Sequence, residues 1–178
     1  MTTYVAFLRA INLGSRRTFP KDAIKAAVEG AGFTGVETYI NTGNVRLETR
    51  MRSPTRIEDV LERAFLADRD FEVPTIVLSI ADLVRVAEDA AELAAAREGV
   101  GRHYVSVLKE TPTQAAVRQA EALSTEAERV IVRGRAAHLL LGKNYHEATL
   151  DNAVVEKVLG PATNRRDTVI TTLASRWG

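Results

Sequence analysis

The stretch Thr38–Leu47 constrains the fold more than any other part of the chain, because it has the composition of a β-hairpin. Apolar, strand-forming residues lead into a short polar turn and out of it again. Gly43 and Asn44 are the residues there that most easily adopt the positive φ that a tight turn needs. We therefore predict two antiparallel strands, and we expect the residues before them to supply a strand that pairs with this hairpin.

The first half of the chain predicts the element order βαββαβ. Tyr4–Arg9 is a short apolar strand, and a helix with an apolar stripe extends from about Pro20 to Gly32. After the hairpin, an amphipathic helix follows Ser53–Pro54, and Pro74–Ile80 is the next buried strand. This is the order of the split βαβ arrangement of ferredoxin-like domains.

The second half repeats this pattern. Tyr104–Lys109 echoes Tyr4–Arg9 as a strand, and Thr111–Gln114 is interpreted as a capping box with Pro at the first helical position. Arg133–Arg135 forms the turn of a second hairpin, and Asp167 is expected to cap a last helix. We therefore predict an α+β protein, a tandem duplication of ferredoxin-like (βαββαβ) halves with antiparallel sheets and an added C-terminal helix.

The length of 178 residues is comfortable for two domains that each bury a core. An Ala-rich helix is expected to reach about Ala96, and Arg97–Gly101 then loosens the chain. We predict a first half at residues 1–80, a linker helix and loop at 81–101, and a second half with the C-terminal helix at 102–178.

Composition and charge exclude several classes of function. The chain has 24 Lys and Arg against 23 Asp and Glu, so its net charge of +1 gives no global attraction to nucleic acid or acidic membranes, and any basic site must be local. The absence of cysteine excludes disulfides and thiolate chemistry, and the three histidines lack metal-ligand spacing. We expect no metal and no cofactor.

The sequence also lacks familiar enzyme and targeting signatures. It has no Gly-x-Ser-x-Gly elbow, no Walker loop and no dinucleotide fingerprint. The expected third strand carries no aromatic residue to stack a base, which disfavours an RNA-recognition motif. The first apolar run, Val5–Leu13, lacks the features of a signal peptide, and no run approaches the roughly 20 apolar residues of a membrane span. We expect a cytoplasmic protein without a membrane partner.

The predicted topology brings two polar segments together. In a βαββαβ unit, the loop after the first strand and the hairpin between strands two and three lie at the same end. Their amides, hydroxyls and guanidinium groups suit phosphate or carboxylate oxygens, and a helix N-terminus nearby adds partial positive charge. The same residues also fit a structural role, with the asparagines closing turns and the arginines solvated. The candidate ligand-binding residues on this argument are Asn12, Ser15, Arg16, Arg17, Asn41, Thr42 and Asn44.

A second polar cluster is expected in the second half. There, Lys143–Glu147 should lie at the same end of the sheet as Arg165–Asp167. His146 beside Glu147 could transfer a proton, or it could be an ordinary loop histidine. The arginines of the turn at residues 133–135 could contact a polyanion or could simply be exposed.

Particular segments closely resemble the bacterial domain-of-unknown-function 1697 family. They are Tyr4–Gly14, Thr38–Val45, Asn152–Gly160 and Ala162–Arg165, so the resemblance covers nearly the whole chain. It implies a small bacterial protein of two ferredoxin-like halves whose activity has not been established. The recurring polar residues of that family match Arg9, Asn12, Asn41, Gly43, Asn44, Asn152 and Arg165. On this ground Arg9, Gly43 and Arg165 join the candidate ligand-binding residues.

The chain departs from the family pattern at three places. Ala10 stands where members often have Gly, and Ala148–Thr149 stands where they have a Ser-Lys pair. Arg166–Asp167 stands where members have Asn-Trp. A site in the second half that used that Lys or Trp would be incomplete in this chain.

Three functions follow as hypotheses. The first is binding of an anionic ligand, a nucleotide or nucleic-acid phosphate, through the loop after strand one and the hairpin. The second is an enzyme that acts on a small phosphorylated or carboxylated metabolite, with Asn41 and Asn44 orienting it and His146 or Glu147 moving a proton. The third is a protein-interaction module that uses exposed sheet edges. Whether the protein is an enzyme, and its oligomeric state, stay open.

Overall fold

The computed structural model describes residues 1–178, which form a mixed α+β protein with six α-helices and two four-stranded antiparallel sheets. The chain divides into two compact units, Met1–Asp82 with Trp177, and Leu83–Arg176 with Gly178. No helix combines the length and the apolar character needed to cross a membrane.

The first elements of the chain are β1 (Thr2–Leu8), α1 (Lys21–Gly30), β2 (Thr34–Tyr39), β3 (Asn44–Thr49), α2 (Pro54–Arg69) and β4 (Thr75–Ser79). Their strands form the first sheet in the order β2-β3-β1-β4. Strand β1 pairs antiparallel with β3 and with β4, so that Phe7 lies opposite Asn44 and Leu8 lies opposite Thr75. The rings of Phe19 and Phe65 meet edge to face in the core, with centroids 5.3 Å apart.

The remaining elements are α3 (Ile80–Ala96), β5 (Arg102–Leu108), α4 (Gln114–Glu121), β6 (Glu128–Arg133), β7 (Ala136–Leu141), α5 (Asn152–Leu159), β8 (Ala162–Arg166) and α6 (Asp167–Trp177). Their strands form the second sheet in the equivalent order β6-β7-β5-β8, with α4 and α5 packed on it. Leu139, Val155 and Ala162 are among the fully buried residues of its core. A short 3-10 helix at Tyr145–Glu147 follows β7.

Carboxylates of helix α2 occupy the outward N–H groups of the edge strand β4. The carboxylate of Glu58 accepts from the N–H of Val77 at 2.8 Å, and that of Glu62 accepts from the N–H of Thr75 at 2.8 Å. Both N–H groups point away from β1, because Val77 and Thr75 are the non-hydrogen-bonded positions of the β1–β4 ladder. The helix therefore satisfies donors that an edge strand leaves open.

The edge strand β6 of the second sheet is satisfied in a similar way. The N–H of Val132 donates to the carboxylate of Glu121 at 3.0 Å, and the N–H of Val130 donates to the hydroxyl of Ser124 at 3.0 Å. Both N–H groups point away from β7, because Val132 and Val130 are also non-hydrogen-bonded positions of their ladder. In each sheet, therefore, side chains accept hydrogen bonds from outward N–H groups of one edge strand, β4 in the first sheet and β6 in the second.

Several local predictions about turns and caps are corrected. Ile40, and not Asn44, is the non-glycine residue of the hairpin turn with positive φ (50°), since Asn44 already begins β3. Thr113 is the N-cap of α4 and accepts from the N–H of Ala116, so the predicted Pro at the first helical position lies outside the helix. Asp167 is the first residue of α6 and does not cap it.

Candidate functional site

The side chain of Asn12 joins the loop after β1 to the β2–β3 turn. Its Nδ2 donates to the carbonyl of Asn41 at 2.7 Å and to that of Phe19 at 3.1 Å. Its Oδ1 accepts from the N–H of Phe19 at 2.8 Å. The predicted proximity of the two segments is therefore present, and the Asn12 amide helps to hold them together.

Arg17 is anchored within the first unit. Its Nε donates to the carbonyl of Ala10 at 2.6 Å, and its Nη2 donates to the carbonyl of Glu72 at 2.5 Å. Its guanidinium also lies over the ring of Phe71, 4.7 Å from the centroid. These contacts tie the loop after β1 to the segment before β4, so Arg17 has few donors left for a ligand.

Asn44 and Gly43 close the turn. Asn44 is fully buried, and its Nδ2 donates to the carbonyl of Tyr39 at 3.0 Å and to the hydroxyl of Thr42 at 2.9 Å. Gly43 has a φ of +79°, and its carbonyl accepts from the N–H of Leu8 at 2.8 Å. A Cβ at Gly43 would lie 2.6 Å from the Cβ of Leu8, so the turn approaches β1 as closely as only glycine permits.

Four candidate residues lie exposed at this end of the first unit. We call Ser15, Arg16, Asn41 and Thr42 the loop patch. The side chains of Ser15, Arg16 and Asn41 make no hydrogen bond within the protein, whereas the Thr42 hydroxyl accepts from Asn44. Arg9 beside them is half-buried. The patch therefore offers an amide, hydroxyls and one guanidinium to solvent.

The backbone under the loop patch is strained. Ala10, Asn12 and Ile40 have positive φ values of 56°, 55° and 50°, although none of them is glycine. Ile40 is the most unfavourable of the three, because a β-branched side chain clashes with the backbone in this region. Three of the four such residues in the chain thus lie in these two segments, and strained backbone often accompanies functional sites.

Arg165, by contrast, is buried in β8 of the second unit, with 7% of its surface exposed. Its Nη1 donates to the hydroxyl of Thr163 at 2.9 Å and to the carbonyl of Asn164 at 2.8 Å. Burial lowers the pKa of Arg165 to about 10, which leaves it charged at neutral pH. Arg165 is therefore not part of the exposed loop patch, which belongs to the first unit.

The register of the second sheet puts the ends of β7 and β8 at the same edge. Leu141 at the end of β7 pairs with Arg102, and Arg166 at the end of β8 pairs with Tyr104, close to the start of β5 in both cases. Among the residues that follow β7, Tyr145 accepts from Nη2 of Arg102 through its hydroxyl at 2.7 Å. The two ends therefore lie at one edge of the sheet, and the polar contact there joins Tyr145 to Arg102 of β5, a residue that the prediction did not include.

The arginines of the β6–β7 turn, Arg133 and Arg135, make hydrogen bonds within the protein. Arg133 forms ion pairs with Asp89 at 2.7 Å and with Glu92 at 3.1 Å. The hydrogen bonds that Arg133 donates to Glu92 and Asp89 raise the pKa of Arg133, and those to Glu92 lower the pKa of that carboxyl. Arg135 donates through Nε to the carbonyl of Leu108 at 3.1 Å. This turn is therefore held by local contacts and does not present two free guanidinium groups to a polyanion.

Residues 1–138 match the family described as "Protein of unknown function (DUF1697)". The chain belongs to the DUF1697 family. The family resemblance drawn from the sequence motifs is confirmed by this match.

A solved structure similar to this DUF1697 protein is that of the conserved bacterial protein SP0830 from Streptococcus pneumoniae. The two chains share 20% identity with a TM-score of 0.76, over 99% of this chain and 98% of that chain. At this level of identity the likeness shows the fold. None of the curated proteins matches the chain.

The sequence argument missed a buried histidine pair in this DUF1697 protein. The Nε2 of His103 lies 3.1 Å from the Nδ1 of His138, and Asp167 lies 4.0 Å from the other ring nitrogen of His103. Burial lowers the pKa of His138 to about 4, with His103 adding to the effect. Burial also lowers the pKa of His103, against the opposing charge of Asp167. The pairing of β5 with β7 creates this contact, which linear spacing does not reveal.

Proposed function

We propose that the loop patch of the first unit binds an anionic ligand, with a nucleotide or nucleic-acid phosphate as the leading candidate. The observation that carries the proposal is the Asn12 amide, which holds the loop that contains Ser15 and Arg16 against the turn that contains Asn41. A guanidinium with adjacent amide and hydroxyl donors suits phosphate oxygens. The strained backbone below these residues adds support.

Within this proposal the candidate residues have different roles. Asn12, Arg17, Gly43 and Asn44 hold the loops in place through the hydrogen bonds and the close backbone approach described above. Ser15, Arg16, Asn41 and Thr42 are proposed to contact the ligand, and Arg9 is proposed to add positive charge beside them. Arg165 stays a predicted site residue, although its burial favours a structural role.

The test compares Arg16→Ala with a matched control, Arg56→Ala, which removes another exposed arginine, from α2. Binding of a fluorescent single-stranded oligonucleotide and of ATP is measured by anisotropy and by thermal shift across a salt series. We expect Arg16→Ala to weaken oligonucleotide binding and to reduce the salt slope by about 1, as loss of one phosphate contact does.

We expect the control variant to behave like the wild type in both assays. Absence of salt-sensitive binding of the wild-type protein to RNA, DNA and nucleotides would contradict the proposal. Equal loss in Arg16→Ala and Arg56→Ala would assign the binding to net charge and not to the loop patch.

We also propose that residues 1–80 and 102–178 are ferredoxin-like halves that arose by tandem duplication, linked by residues 81–101. The equivalent strand orders of the two sheets support this architecture. A cytoplasmic location stays a prediction from the sequence.

The two other hypotheses gain less support. His146 is exposed, and its ring lies 4.2 Å from that of Tyr145 with no hydrogen-bond partner, which favours an ordinary loop histidine over an acid–base catalyst. The carboxylates and hydroxyl at the edges of β4 and β6 disfavour strand addition at those edges.

A further inference from the structure

Two exposed aliphatic side chains flank the hydrogen bond that joins the loop after β1 to the β2–β3 turn. Leu13, which follows Asn12, is 67% exposed. Ile40, which precedes Asn41, is 42% exposed. They are two of the four large hydrophobic residues that the chain exposes. A single exposed apolar side chain is ordinary, but two of the four on segments joined by one contact require a physical reason.

The packing of the loop does not supply that reason for Leu13. The same loop contains Ile11 and Phe19, which are 6% and 0% exposed and belong to the core of the first unit. The loop thus buries the apolar residues before and after Leu13 and leaves Leu13 outside. Burial of aliphatic side chains is what stabilises a fold, so Leu13 in its exposed position adds little to this core.

The backbone does not supply a reason for Ile40 either. This residue has a φ of 50°, in the left-handed region that suits Gly and Asn and that strains a β-branched residue. Its side chain is also exposed, so burial does little to offset the strain. An isoleucine at this position is therefore unfavourable for the fold, and strain of this kind is frequent where a residue contacts a ligand.

The charges of the two segments indicate the sign of the partner. Residues 9–20 and 38–45 contain three arginines and neither aspartate nor glutamate. Arg16 is exposed, and Arg9 and Arg17 are half-buried. Arg17 keeps its positive charge although its donors bind carbonyl groups. A partner of these segments therefore carries negative charge and also offers apolar atoms to the two aliphatic side chains.

Single-stranded nucleic acid combines these two properties. Its phosphates are anionic, and the faces of its unpaired bases are free to contact protein side chains. In a duplex the bases stack on one another and hide these faces. An anionic membrane also presents charge beside apolar atoms, but stable attachment draws on several exposed basic residues, and Arg16 is the one exposed arginine of the two segments.

From the two exposed aliphatic side chains and the arginines beside them, we propose that the loop patch binds single-stranded DNA or RNA, with Leu13 and Ile40 against the faces of unpaired bases and Arg16 at a phosphate. This inference rests on the function proposed above and narrows its ligand, because a bare phosphate offers no base and a duplex hides its bases. It also adds Leu13 and Ile40 to the residues that contact the ligand.

The test compares strands that differ only in their bases. Fluorescence anisotropy measures the binding of oligothymidylate of about 12 nucleotides and of an abasic strand with the same number of phosphates. We expect oligothymidylate to bind about fivefold or more tightly, because only this strand offers base faces to Leu13 and Ile40.

Leu13→Gln tests one of the two contacts directly. It should weaken oligothymidylate binding by about threefold or more and leave binding of the abasic strand unchanged. Leu66→Gln is the matched control, because Leu66 is 45% exposed but lies on α2, outside the two segments. The control should leave both affinities at the wild-type value.

Ile40→Asn separates a ligand contact from a structural role. Asn adopts positive φ more easily than a β-branched residue, so we expect the melting temperature of the protein without nucleic acid to rise. The same variant should weaken oligothymidylate binding by about threefold or more. A gain of stability together with a loss of affinity is a result that a merely structural residue would not give.

Three outcomes would overturn this inference while the proposed anion site stands. In the first, the wild-type protein binds both strands equally and Arg16→Ala weakens both. In the second, Leu13→Gln and Ile40→Asn keep wild-type affinity for oligothymidylate. In the third, phosphatidylglycerol vesicles bind the wild-type protein but not Leu13→Gln, and strands with bases are not preferred, which would assign the two side chains to a lipid surface. Failure of the wild-type protein to bind either strand at any salt concentration would contradict both proposals.

Discussion

Gly43 lies where the β2–β3 turn meets strand β1, and two separate constraints act on it. Its φ of +79° is in the region that disfavours residues with a Cβ. A Cβ there would also lie 2.6 Å from the Cβ of Leu8 and 2.9 Å from Cδ1 of Ile11. Gly14 in the preceding loop has a similar φ of +70° but no atom within 4 Å of such a Cβ. A comparison of Gly14 with Gly43 therefore separates the cost of backbone strain from the cost of steric overlap.

We expect Gly14→Ala to lower the free energy of unfolding by about 1 kcal/mol, from the left-handed backbone alone. Gly43→Ala should cost roughly 2 kcal/mol more than that, because Leu8 and Ile11 must also shift. Urea denaturation of both variants measures the difference. Equal losses in the two variants would show that the turn can move away from β1 without cost.

The proximity of Asn12 and Asn41 could be predicted from strand order, because chain reversal alone brings the two loops to one end. Strand order does not predict which of the asparagine side chains stay free to contact a ligand. The hydrogen bonds of Asn12 and Asn44 lie in segments where Ala10 and Ile40 have positive φ, and the types of these two residues give no sign of that conformation. The structure therefore separates residues that build the loops from those that face solvent.

Among the elements, helix α2 both covers the core of the first unit and completes its sheet. Its apolar face buries Ile57, Leu61 and Phe65, while Glu58 is also buried and reaches the edge strand β4. Periodicity predicted the apolar face. It did not predict a buried carboxylate, because burial of a charge depends on donors that only the tertiary structure supplies.

Glu58→Ala should lower the free energy of unfolding by about 1–3 kcal/mol, because the N–H of Val77 loses its hydrogen bond to this carboxylate at a buried position. Glu58→Gln keeps an acceptor oxygen and should recover part of the loss. Asp59→Ala, at the next and exposed position, is the control and should change stability by less than about 0.5 kcal/mol. Denaturant unfolding compares the three variants, and a Glu58→Ala loss as small as the control's would exclude this role.

At the scale of the whole molecule, the order of elements was predictable and the chemistry of equivalent positions was not. Ala6 and Val77 face each other across β1 and β4, and the corresponding residues across β5 and β8 are Ser106 and Asn164. The hydroxyl of Ser106 and Oδ1 of Asn164 are buried without partners. Apolar patterning predicted β1, β4 and β5, whereas β8 has no apolar run, and a short strand was expected there only because the repeated element order leaves room for one.

The buried histidines should make stability depend on pH. The pKa of His103 and His138 is lowered in the folded protein, so between about pH 6.5 and 5 the unfolded chain binds more protons than the folded one. Stability should therefore be complete above pH 6.5 and fall as the pH decreases, by up to about 1.4 kcal/mol per pH unit for each histidine that stays neutral when folded.

Urea denaturation at several pH values across this window measures the slope. His138→Gln should reduce it by up to one proton, whereas His146→Gln removes an exposed histidine and should keep the wild-type slope. A stability that does not change between pH 6.5 and 5 would contradict the assignment of both buried rings as neutral.

The acceptors along β4 and β6 also bear on how concentrated solutions of this protein behave. An edge strand with unpaired backbone N–H groups can act as a template for fibril growth. Here the outward N–H groups of Val77, Thr75, Val132 and Val130 already donate to side chains. Three of the four acceptors are glutamates, and charged side chains at an edge strand also disfavour the approach of a second strand. The native protein should therefore resist fibril formation at these two edges, and variants that lose these acceptors should form fibrils more readily.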